Sequence, residues 1–124
     1  MTYTFESVVA WQRAHQFVLA VYRMTKVFPA DELYGLTSQF RRAAVSIEAN
    51  IAEGYKKLSK TDKLRFMNIS QGSIEECRDY IILSRDLQYI NEQQLSELHN
   101  LLEDASKMLY LYCNGIKNNN GIKD

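Results

Sequence analysis

A single proline, Pro29, interrupts 124 residues, and only Gly35, Gly54 and Gly72 precede the two glycines near the end, Gly115 and Gly121. Proline and glycine are the residues that oppose helix most strongly. A chain so poor in them is constrained to a few long helices, provided its apolar residues recur at helical spacing. They do. Ala10, Ala14, Phe17, Val21, Met24 and Phe28 recur at steps of three and four, with Val8, Trp11, His15, Val18 and Tyr22 alongside. Two adjacent seams make a broad buried stripe, which predicts a first helix over about Val8–Val27. Pro29 ends it, because a residue before proline avoids the helical region.

Three further helices follow by the same reasoning. Leu36, Phe40, Ala43, Ile47, Ile51 and Gly54 set a second helix ending near Lys57. Its small residues invite close approach by a neighbour. Ser59 reads as the cap of a third helix over about Lys60–Leu87, in which Gly72 predicts another close contact. Asn91 with Gln94 makes a capping box, and Ile90 with Leu95 a hydrophobic staple. Leu95, Leu98, Leu102, Ala105, Leu109 and Tyr112 then carry a fourth helix, with Gly115 as its C-terminal stop. Four long helices joined by short connections predict an all-α, antiparallel, up-down-up-down four-helix bundle over residues 1–113. Residues 114–124 are expected to form a polar, flexible tail.

The charges bound the function. Fifteen basic and fifteen acidic side chains cancel, so no diffuse attraction to nucleic acid or anionic membrane exists. The longest apolar run, Phe17–Tyr22, is far short of the roughly 20 residues of a membrane span. With no signal-peptide pattern at the start, a cytoplasmic location is expected. The balance nevertheless hides segregation. Residues 41–65 carry seven basic and three acidic groups, whereas residues 66–106 carry two and eight.

Chemistry-bearing motifs are sparse. There is no phosphate-binding glycine loop, no Cys-x-x-Cys and no His-Glu-x-x-His. Glu75 and Glu76 are adjacent and diverge by about 100° on a helix, and neither His15 nor His99 completes a di-iron motif. No metal, cofactor or enzymatic activity is expected. Cys77 could serve as a nucleophile beside His15, but each lies on an apolar seam, where burial is the simpler account. Two features are more informative. Gln39, Arg42, Ser46, Asn50, Glu53 and Lys57 form a polar stripe with the spacing of a seam, either a solvated face or a buried network. Arg41, Arg42, Lys56, Lys57, Lys60, Lys63 and Arg65 concentrate positive charge around the second helix and the turn after it, a candidate phosphate-binding surface.

The run Gln39-Phe40-Arg41-Arg42-Ala43-Ala44-Val45-Ser46-Ile47-Glu48-Ala49-Asn50-Ile51-Ala52-Glu53-Gly54 resembles the second-helix signature of the bacterial four-helix-bundle family encoded by 23S rRNA intervening sequences, often labelled ribosomal protein. Val9-Ala10-Trp11-Gln12, Phe28-Pro29, Glu32 with Tyr34-Gly35-Leu36, Gln71-Gly72-Ser73 with Glu76, and Asp86-Leu87 with Tyr89-Ile90 match in the family's order. Ser70 and Gln88 depart from it, standing where alanine and glycine are commoner. The resemblance implies a homopentamer of bundles arranged as a barrel, and no catalysis. It also implies kinship to the accessory protein of diversity-generating retroelements, which engages nucleic acid and reverse transcriptase. Because the stripe coincides with the signature, the resemblance favours a structural polar network of Gln39, Arg42, Ser46, Asn50 and Glu53 that takes in Glu76. The function expected is an oligomeric, RNA- or nucleic-acid-associated bundle. A protein-interaction module that uses the acidic half is the alternative.

Overall fold

The computed structural model describes residues 4–124. Four helices carry the fold: α1 (Val9–Thr25), α2 (Leu36–Tyr55), α3 (Lys60–Asp86) and α4 (Glu92–Lys117). Short 3-10 turns at Phe5–Ser7 and Ala30–Glu32 precede α1 and α2, and no strand occurs among the described residues. None of the helices there is long and apolar enough to cross a membrane.

Side-chain pairs between neighbours fix the topology. Arg13 meets Asp104 while Arg23 meets Glu97, so α1 and α4 run antiparallel. His15 meets Glu48 while Arg41 reaches back to Thr25, which makes α1 and α2 antiparallel. Ser46 pairs with Ser73 and Gln39 with Tyr80, which makes α2 and α3 antiparallel as well. Each helix therefore packs on the next, and α4 closes the ring on α1. Inside it, Phe17, Phe40, Ile47, Ile51, Met67, Ile74, Leu98, Leu102 and Leu109 are almost fully buried. Each contributes about 1.5–3 kcal/mol through removal from water. Those on α1, α2 and α4 are residues whose three- and four-residue spacing predicts the seams.

Capping follows the sequence closely. Ser59 accepts a hydrogen bond from the Asp62 amide at 3.1 Å. Asn91 and Gln94 form the reciprocal capping box, at 2.8 and 2.9 Å, with Ile90 buried beneath it. At the end of α3, the Tyr89 amide donates to the Ser84 carbonyl and the Gln88 amide to Arg85. This is a Schellman ending. It places Gln88 at φ 64°, the left-handed region.

Three expectations are corrected. Gly72 makes no close contact: a Cβ added there would have no neighbour within 4 Å. Gly115 does not stop α4, which runs on to Lys117 because Ile116 is buried and extends the seam. The segment after 113 is consequently not a separate tail. Its first residues are helix, and its last return to the α2–α3 turn, where the Lys60 amide donates to the Lys123 carbonyl at 2.6 Å. The Thr61 hydroxyl donates to the Asp124 carbonyl oxygen at 3.1 Å.

Candidate nucleic-acid interface

The α2–α3 turn is built by a close helix approach. At Gly54 an added Cβ would lie 2.9 Å from the Phe66 Cβ and 3.4 Å from the Lys63 carbonyl. Absence of a side chain there lets α3 start directly against the end of α2. That draws Lys56, Lys57, Lys60, Lys63 and Arg65 into one end of the bundle.

Two of these lysines are already engaged. The Lys63 ammonium donates to the Tyr55 carbonyl at 2.7 Å and lies 5.7 Å from the Tyr55 ring centroid. Burial pulls its pKa down from the ordinary lysine value. Lys60 donates to the Lys117 carbonyl at 3.1 Å and faces Asp124 at 3.9 Å. Lys56 is exposed and has no ion-pair partner among the described residues. Lys57 and Arg65 flank the Phe66 ring, at 5.1 and 5.0 Å from its centroid, and Arg65 also pairs with Asp62 at 3.6 Å. The outer surface of the turn is thus a cation–aromatic–cation group with a free lysine beside it and Leu58 90% exposed.

Arg41 and Arg42 lie elsewhere. Between Arg42 and Tyr55 runs about 20 Å of α2, at 1.5 Å per residue. Arg41 donates to the Thr25 hydroxyl at 2.8 Å and stacks over Tyr22 at 4.7 Å. Arg42 is exposed and unpaired among the described residues. The seven basic residues therefore occupy two loci, one at each end of α2. Counting charge along the chain merges them because it takes no account of helix length.

The polar stripe is likewise divided. Asn50 Nδ2 donates to the Ser46 carbonyl at 2.8 Å and lies 3.0 Å from its hydroxyl, which meets Ser73 at 2.8 Å. Tyr80 bridges Gln39 and Glu76 at 3.3 and 3.1 Å. Arg42 and Glu53 join neither piece. The predicted continuous network is corrected to two short ones, because the stripe faces outward at Gln39, Arg42 and Glu53 and is half-buried at Ser46, Asn50 and Lys57. Ser73 and Tyr80, which complete the pieces, belong to the α3 face that carries Glu76; their seven-residue spacing is the signal that locates them.

The other chemistry-bearing side chains singled out in the sequence are occupied or buried. Cys77 is fully buried, and its burial pushes the thiol far above its usual range. His15 stacks on Trp11 at 4.8 Å, and its Nδ1 meets Glu48 at 3.0 Å. No group of three or more His, Cys, Asp or Glu side chains among the described residues could hold a metal ion.

Fold and surface together define an all-α four-helix protein with cationic loci at both ends of its second helix. The chain belongs to the 23S rRNA-intervening sequence protein family, whose model matches residues 6–111. A solved structure of a Bacteroides thetaiotaomicron VPI-5482 protein from the S23 ribosomal protein family, itself of unknown function, shares the fold. Its TM-score is 0.78 at 21% identity, over 86% of this chain and 96% of that one. No curated protein matches the sequence.

Proposed function

We propose that the chain is a non-enzymatic, self-associating bundle that binds RNA phosphates at the α2–α3 turn. The observation that carries this reading is the Phe66 ring held between Lys57 and Arg65, beside the unpaired Lys56. Single-stranded nucleic acid is held by such groups. Cations neutralise the backbone, and the Phe66 ring against which Lys57 and Arg65 rest keeps the two in place. Lys60 and Lys63 act as struts that shape the turn, since their ammonium groups are occupied within the chain. Assembly into a homopentamer is the form in which one such turn per subunit becomes a multivalent surface. The half-exposed Ile69, Ile82 and Leu83 on α3, with Leu87 just after it, support association through apolar contact.

Native mass spectrometry of protein purified without nuclease treatment tests both halves. Five subunits with bound RNA are expected. In a salt titration, log affinity should fall with log salt at a slope of about −2, for three phosphate contacts on a single strand. Joint replacement of Lys56, Lys57 and Arg65 by alanine should remove most of that slope. Binding indifferent to both salt and these residues would sink the RNA reading and favour the protein-interaction alternative.

A further inference from the structure

The second cationic locus lines a groove of about 630 Å3 between the C-terminal half of α1, the segment after the Ala30–Glu32 turn and the first half of α2. We propose that this groove binds the phosphorylated end of a single RNA strand, with Arg41 and Arg42 on the terminal phosphate and Tyr34 stacked on the first base.

Four observations carry the assignment. First, the lining contains two guanidinium groups and no carboxylate, so its charge is uncompensated. Second, the two arginines play different parts. Arg41 is fixed by the Thr25 hydroxyl, the Tyr22 carbonyl and the Tyr22 ring, and a guanidinium held this way loses little freedom on meeting a ligand. Arg42 has no internal partner among the described residues and lines the same groove, so its long side chain is not committed elsewhere. Third, Ser38 is a further polar residue of the same lining, and phosphate oxygens need donors. Fourth, the Tyr34 ring is 92% exposed at the rim. Exposed rings of this kind are stacking platforms for bases.

Charge selects an end over the interior of a strand. An internal phosphodiester carries one negative charge and leaves one guanidinium unmet. A terminal monoester carries about 1.5 to 2 negative charges at neutral pH, which matches the pair. The volume is also in the range of small-molecule sites, about 300–1,000 Å3.

The inference rests on the RNA reading above, and the test separates the two. Affinity is measured for one short single-stranded RNA bearing either a 5′-phosphate or a 5′-hydroxyl. The phosphorylated strand should bind about tenfold more tightly, the worth of one charge-assisted contact. Arg42→Ala should erase that preference while leaving salt-dependent binding at Lys56, Lys57 and Arg65 intact. Tyr34→Ala should weaken binding of the phosphorylated strand. Because neither side chain supports the core, circular dichroism should be unchanged for both. Equal binding of the two strands by the unaltered protein, or a preference that survives Arg42→Ala, overturns this inference alone. A free nucleoside monophosphate that competes as well as the strand overturns the assignment to an RNA end. A changed subunit number in Arg42→Ala shows that the groove is a contact between copies and also overturns it. Absence of all RNA affinity removes both readings.

Discussion

Gln88 shows how much a single backbone conformation can reveal. It sits at φ 64° in the Schellman ending of α3, where a side chain costs about 1–2 kcal/mol and glycine costs none of it. The family resemblance marks this position as one where glycine is commoner, and the left-handed turn supplies the reason. Gln88→Gly is therefore expected to stabilise the protein by about 0.5–1 kcal/mol, after allowance for the extra freedom glycine gains in the unfolded chain. Thermal unfolding would show the midpoint rising, and a fall would contradict the strain argument. Ser70 is the other departure. Its buried hydroxyl donates to the Ile47 carbonyl at 2.8 Å, so a polar group replaces alanine without being left unsatisfied. Neither conformation nor partner can be read from the residue letter alone, since each depends on an atom several residues or a whole helix away.

At the scale of elements, the glycines of α2 and α3 should respond in opposite senses. Gly54→Ala forces a methyl group against the Phe66 Cβ and the backbone of α3, a clash expected to destabilise by about 1–3 kcal/mol. Gly72→Ala enters open space in the middle of a helix and should stabilise by about 0.5–1 kcal/mol. Chemical denaturation of the two variants checks both signs. The helices themselves were legible because three- and four-residue apolar spacing is a direct imprint of helical geometry, and the caps because Ser59, Asn91 and Gln94 bond locally. The end of α4 was not legible. Gly115 resembles a stop signal, but burial of Ile116 across the bundle overrides that local preference. Gly72 misleads for a related reason: a glycine in sequence does not reveal which face of the helix it occupies.

For the whole molecule, the four helices are tied by partly exposed ion pairs as well as by the core. Arg78 on α3 binds Glu103 on α4 at 2.7 and 3.0 Å. That hydrogen bond, opposed in part by burial, holds the Glu103 pKa below the usual 4.5. A depressed carboxylate contributes stability above its unfolded pKa and loses it as pH falls through the folded value. Acidification below about pH 4.5 should therefore loosen the α3–α4 contact, and Glu103→Gln should flatten that part of the melting-temperature profile. The candidate site was less legible than the fold. Its residue types were visible in the seven basic side chains, but their division into two loci required the length of α2. The engagement of Lys60 and Lys63 required the return of residues 117–124 and the Tyr55 carbonyl. Finally, closure of the ring by α4 upon α1 has a consequence for how the protein is made. Neighbouring helices α2 and α3 can dock as soon as both have left the ribosome. Phe17 can meet Phe40 of α2 early, but the flank of α1 that packs on α4 must await the last of the four helices to emerge. Until α4 emerges the nascent bundle carries an open apolar flank, which makes docking of that helix the step at which assembly competes with aggregation.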